Sequence, residues 1–169
     1  MIVLGIDPGY AIIGYGAVTC KNNRLFCSGY GALTTKANMN FNDRLESIFD
    51  NMTLMINKCR PDALAIEKLY FNSNQKTAIQ VAQARGVILL AAKKAKVSIF
   101  EYTPLQIKSA ITGYGRAEKK QVMRMTQKLL HLDKLPSPDD AADALAIAIC
   151  HIHTIGSDLK FKILHNKGL

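Results

Sequence analysis

A chain of 169 residues, 49% hydrophobic and 21% charged, lies within the globular range and is long enough to bury a core as one domain. No apolar run approaches the roughly 18 residues of a membrane span, and the opening IVLGI follows a strand pattern rather than a basic leader, so a cytoplasmic protein is expected. The formal charge of +9 is concentrated: residues 85–128 hold ten Lys or Arg against two Glu, which suits a polyanion such as nucleic acid, although a lysine-rich solvated surface would read the same way.

In chain order, residues 2–6 are an apolar run read as a buried strand, closed by the Asp7-Pro8-Gly9 turn. Residues 12–19 and 24–34 read as two further strands joined by the polar KNN, and three strands on short connections predict an antiparallel meander. From Asn42 to Asn57, Leu45, Ile48, Phe49, Met52, Met55 and Ile56 recur at helical steps, and Pro61 closes the segment. Residues 63–67 (ALAIE) predict a buried strand ending on Glu67, 74–95 an alanine-rich helix, and 97–101 (VSIFE) a fifth strand. Pro104 opens a connector that takes in the glycine loop TGYGR, 112–116. Glu118 to Leu130 reads as a basic amphipathic helix, and a last helix is expected from about Ser137 to His153. The order βββαβαβαα predicts one α/β domain over residues 1–153, a five-stranded mixed sheet flanked by helices, with 154–169 as a loosely ordered tail.

Four cysteines, at 20, 27, 59 and 150, form no C-x-x-C pair and read as scattered core residues of a reduced protein. Cys150, His151 and His153 suggest a metal site at first glance, but neighbours one and two apart on a helix face apart, so they are read as packing residues.

Four acids interrupt apolar surroundings. Asp7 and Glu67 each end an apolar strand, and parallel strands bring such ends to one sheet edge, where open α/β sheets place their sites. Asp140 and Asp143, in SPDDAADALAIAIC, share a helix face by their i, i+3 spacing. Each has an ordinary alternative. Asp-Pro-Gly is a common turn, and Glu67 could pair with Lys68 or Arg85. Ser137 as N-cap, Pro138 at the first helical position and acids in the first turn account for Asp139 and Asp140, but not for Asp143. Taken together, four converging carboxylates repel, and a cation would relieve them. Oxygen ligands without His or Cys suit Mg²⁺ or Mn²⁺. Two such ions, about 3.5–4 Å apart, suit phosphodiester hydrolysis. The acids would then hold metal while the basic region holds the backbone of a nucleic acid.

The ordered set LGIDPG, GYG, AIEKLYF, QARG, FEYTPLQIK, GYGRAEKKQV and DAADALAIAICH closely resembles the RuvC-type Holliday junction resolvases, from about residue 2 to 153. The resemblance implies a ribonuclease H-like fold, a homodimer, and Mg²⁺-dependent resolution of four-way DNA junctions by paired symmetric nicks in recombination and repair. Two Mg²⁺ per active site are implied, with Mn²⁺ as a substitute. The family's catalytic, metal-holding acids fall on Asp7, Glu67, Asp140 and Asp143, with Asp139 an extra acid beside them. Its junction-facing aromatic falls on Tyr70, beside Phe71, and either ring could stack on unpaired bases. Its two important lysines fall on Lys108 and Lys119, the latter offsetting transition-state charge. Lys76, Arg116 and Lys120 are further expected DNA contacts. The implied partners are a hexameric branch-migration motor and its junction-binding subunit, and a preferred sequence at the nick is expected.

Ala78, Ala82 and Gly86 permit close helix approach, either at a dimer seam or in docking on the sheet. Two other functions compete. An actin-like or sugar-kinase phosphate loop also begins with a strand such as IDPGY, but such proteins need two domains. A non-catalytic junction-binding protein of the same fold would keep the basic region without needing Glu67 or Asp143.

Overall fold

The computed structural model describes residues 1–69 and 75–165, without the side chains of 75, 76 and 157–165. Five strands and five helices run β1 (Ile2–Asp7), β2 (Ile12–Lys21), β3 (Arg24–Thr34), α1 (Phe41–Cys59), β4 (Ala63–Glu67), α2 (Gln75–Lys94), β5 (Ser98–Tyr102), α3 (Pro104–Thr112), α4 (Lys119–Leu129) and α5 (Asp139–His165). The sheet order is β3-β2-β1-β4-β5. β1, β2 and β3 form the expected antiparallel meander, and β1, β4 and β5 pair in parallel. Asn22 and Asn23 turn the β2–β3 hairpin, both at positive φ, which asparagine tolerates and a two-residue hairpin needs.

The two faces of the sheet carry different cores. Leu4, Ile6, Leu64 and Ile66 point to one side and pack with Ile48, Met52 and Ile56 of α1 and Ala84 and Ile88 of α2. Val3, Ala65 and Tyr102 point to the other and meet α5. α5 is covered in turn by α3 and α4. This explains why Ala144 to Ile149 read as apolar on every side: the helix is enclosed between the sheet and a second helical layer. α5 also lies unusually close to the strands. A Cβ on Gly5 would fall on the Ala144 carbonyl, and one on Gly14 on the carbonyl of Asp140. Only glycine admits a helix backbone at that distance.

The structure departs from expectation in three places. Residues 104–112 form helix α3, where a connector was expected. Thr103 and Gln106 close a reciprocal capping box, Pro104 stands in the first turn, and Gly113, at φ 76°, ends the helix. With only Ile107 and Ile111 buried, α3 is too short to show a periodic pattern. The start of α5 is shifted as well. The Pro138 carbonyl accepts from the Ala141 and Ala142 amides, so Pro138, not Ser137, occupies the cap position. Finally, α5 runs on to His165 instead of ending near His153. From His153 to Gly156 its residues are no longer buried, so the apolar spacing that marks a helix fades there while the backbone pattern persists. No helix among the described residues is long and apolar enough to cross a membrane.

Candidate active site

Sheet register brings the acids together. Val3 pairs with Ala63 and Gly5 with Ala65, so the next step along that face sets Asp7 beside Glu67, each the last residue of its strand. Both lie on the α5 face because side chains alternate along a strand. Across the sheet Asp7 pairs with Gly14, the residue against which the Asp140 backbone rests. Close docking at Gly14 thus sets the first turn of α5 over the end of β1, and Asp143 follows one turn later.

The electrostatics report this convergence. Asp7 is pushed up to about 7, first by burial and then by the charges of Asp143, Glu67 and Asp140, with Lys119 pulling the other way. Glu67 is raised by burial and by Asp143, and Lys108 opposes the shift. Asp139 exerts no such effect on Asp7; it is exposed and faces Lys119 at 3.4 Å. Of the adjacent pair, Asp140 is therefore the one whose charge adds to the shift at Asp7. Arg85 does not consume Glu67: its guanidinium pairs with Glu101 at 2.6 Å and reaches only the Glu67 backbone carbonyl.

Asp7, Glu67, Asp143, Lys108 and Lys119 line one cleft of about 260 Å³, bounded by the apolar flanks of α3 and α5. The Lys119 ammonium stands 3.0 Å from Asp143. Burial pulls Lys119 down, but the hydrogen bonds and charges of Asp143 and Asp139 outweigh it and hold the group above its ordinary value. Lys119 and Lys120 occupy the first turn of α4, where the helix dipole disfavours cations, and Glu118 at the N-cap, in a capping box with Gln121, supplies the acid that the dipole favours. As placed, no three carboxylates enclose a common point among the described residues, and Lys119 supplies the local positive charge. A donor set of carboxylate oxygens alone, with Asp7 held far above the ordinary carboxylate range, fits a hard divalent cation.

Arg116 and Lys120 are exposed on the approach to α4 and in its first turn. Tyr70 and Phe71 lie outside the described residues, as does the side chain of Lys76. Two features of the site were missed in the sequence. One is α3 itself, which carries Lys108; its T-P-L-Q capping pattern was the available signal. The other is Arg44. It is buried, donates to Thr35 Oγ1 at 2.6 Å and to the Lys36 carbonyl at 2.8 Å, reaches the Tyr10 carbonyl at 3.4 Å, and lies 5.5 Å from the centroid of the Tyr10 ring. It anchors the turn that leaves Asp7. Arg44, Ile48, Met52 and Ile56 form a single i, i+4 line, so an arginine on the buried stripe of α1 was the clue.

The histidines do pack. His151 is enclosed, accepts or donates through Nδ1 at 2.7 Å from the Tyr102 hydroxyl, and stacks at a tilt on Phe100. His153 Nδ1 lies 3.0 Å from the Ala110 carbonyl.

Comparison with known proteins agrees with this reading. The family model described as crossover junction endodeoxyribonuclease RuvC matches residues 3–151. A crossover junction endodeoxyribonuclease RuvC of Ruminiclostridium cellulolyticum is 54% identical over 151 residues, 89% of this chain and 91% of that one. The Thermus thermophilus RuvC structure superposes with a TM-score of 0.88 at 32% identity, over 94% of this chain and 97% of that one. The structure of T. thermophilus RuvC in complex with Holliday junction substrate gives 0.85 at 30% identity, over 93% and 96%. The sheet with its α5 layer is accordingly the expected ribonuclease H-like fold. Motif order, the meeting of the acids and the extent of these matches all point one way, and the chain belongs to the RuvC family of crossover junction endodeoxyribonucleases.

Proposed function

We propose that this protein resolves four-way DNA junctions by paired nicks, with Asp7, Glu67, Asp140 and Asp143 as its metal-holding acids. The observation that carries the proposal is the convergence of these acids, from β1, β4 and α5, on one sheet edge beside a basic surface. A protein that only bound DNA would gain nothing from acids that repel phosphate at the centre of its cleft.

Two Mg²⁺ ions, or Mn²⁺ in their place, would supply activation of a water and stabilisation of the departing oxygen when bound. The chain's own residues do the rest. Asp7, Glu67, Asp140 and Asp143 would hold the ions, with Asp7 standing between Glu67 and the α5 acids. Lys108 and Lys119 flank the cleft and hold the phosphate, and Lys119 offsets charge that develops in the transition state. Arg116 and Lys120 extend the basic approach, and one of Tyr70 and Phe71, with Lys76, meets the crossover.

The two-fold symmetry of a junction is matched by a homodimer. Support comes from α2, whose outer face exposes Ile79 and Leu90 with open space at Gly86, while Ala84 and Ile88 pack inward. A monomer by sedimentation at micromolar concentration, with nicking intact, would overturn the dimer. The hexameric branch-migration motor and its junction-binding subunit are the proposed partners, to be checked by co-sedimentation on junction DNA.

The deciding experiment is cleavage of a synthetic four-way junction in Mg²⁺ or Mn²⁺, mapped at nucleotide resolution. Asp143→Asn should abolish nicking and leave junction affinity in Ca²⁺ about the same. A wild-type chain that cuts no junction with either metal would leave only a binding protein of this fold.

A further inference from the structure

α4 has two exposed flanks separated by its buried line, Val122 and Thr126. Lys119 leans from one flank over the acidic cleft. The other flank presents Gln121, Arg124, Met125 and Lys128, which with Thr112 and Tyr114 line a second groove of about 370 Å³. Among the described residues the cleft and the groove share no lining residue, and no acid lines the groove.

The charges in this groove are uncompensated. Arg124 and Lys128 lie one turn apart, and Lys120 continues the same row a turn earlier. Like charges at i, i+4 destabilise a helix. No ion pair neutralises Arg124 or Lys128 among the described residues. The helix dipole favours Lys128, which is in the last turn, but does nothing for Arg124 or Lys120. An exposed Tyr114 ring and Met125 add apolar surface beside these cations.

We propose that this groove is a second DNA-binding site, which grips the sugar–phosphate backbone of a junction arm beyond the strand held in the cleft. Side chains one helical turn apart, with Cβ atoms about 5–6 Å from each other, can each take one of two successive phosphates of a strand. Tyr114 and Met125 offer the deoxyribose a surface between those contacts. Because the groove lies on the flank of α4 turned away from the acids, a duplex whose nick sits in the cleft must extend past α4 to reach it. The inference rests on the proposal that junction DNA is the substrate.

The test is the salt dependence of junction binding by the full chain in Ca²⁺. Three proteins are compared: wild type, the groove pair Arg124→Gln with Lys128→Gln, and a control pair of equal charge loss, Lys21→Gln with Lys58→Gln, on β2 and α1. The slope of log K against log salt should flatten by about 2 in the groove pair, at roughly 0.9 per phosphate contact, and stay unchanged in the control. The gap between groove pair and wild type should vanish as the junction arms are shortened. An unchanged slope in the groove pair overturns the inference and leaves the groove to an acidic protein. Equal flattening in the control, or a gap indifferent to arm length, overturns it too. If wild type neither binds nor nicks the junction, it is the substrate assignment that fails.

Discussion

The two faces of the sheet solve opposite problems. On the α1–α2 face, Leu4, Ile6, Leu64 and Ile66 fill space between layers, and the large side chains make a stable, ordinary core. On the α5 face, Gly5, Gly14, Ala63 and Ala65 remove bulk, and α5 answers with alanines. The small residues bring a helix backbone onto the strands, at some cost in buried area per residue. What they gain is position: Asp140 and Asp143 come within electrostatic reach of Asp7. One face serves stability and the other serves placement, although both are equally buried.

That contrast can be broken most sharply at Gly14. Gly14→Val would put side-chain atoms where the Asp140 backbone now lies and lift the start of α5. Single-turnover nicking should fall by about 10²-fold or more, since small displacements of reacting groups cost that much, while junction binding in Ca²⁺ persists. Equal nicking would mean that close docking of α5 does not place the acids. On the opposite face, Leu4→Ala should cost about 2–5 kcal/mol as a cavity. That appears as a lower melting temperature, with nicking by the folded molecules unchanged. A selective loss of nicking would show that the two faces are not separable in this way.

A third prediction uses acidity. Asp7 stands at about 7 in the folded chain against 3.8 as its ordinary value. Between those values the folded state binds the proton more tightly than the unfolded state, so this group's contribution to stability is full below about pH 4 and is lost as pH rises through 7. In chelator-treated protein, Asp7→Asn should therefore melt several degrees above wild type at pH 8, at about 2–4 °C per kcal/mol for a chain of this size. The two should converge near pH 4. A constant difference across that range would mean that burial and the neighbouring acids do not raise Asp7. The smallest expected effect is at the cap of α3. Thr103→Ala should cost about 1 kcal/mol, read as a melting shift of a few degrees, and a larger loss of nicking would assign α3 a part in holding Lys108.

Much of the site was legible because charge interrupts pattern. Asp7 and Glu67 end apolar runs, and Asp143 sits among alanines where a helix cap could not explain it. The parallel pairing of β1, β4 and β5 followed from the alternation of strands with helices. What could not be read depends on distances between elements. Nothing in the string shows that Lys119 lies 3.0 Å from Asp143. Arg44 was hidden for a different reason: its line on α1 is a core line, and its partners are backbone carbonyls and a threonine hydroxyl far along the chain. α3 was hidden because its stability comes from caps at both ends more than from an apolar stripe.

The place of α5 in the chain has a consequence for biosynthesis. Asp7 emerges from the ribosome with the first strand, but Asp140 and Asp143 arrive on the last described element, which must then insert between the sheet and the α3–α4 layer. Until that insertion, half of the acids are missing and the strand face that receives them is uncovered. A nascent chain that has not yet reached α5 therefore lacks two of the four proposed metal-holding acids.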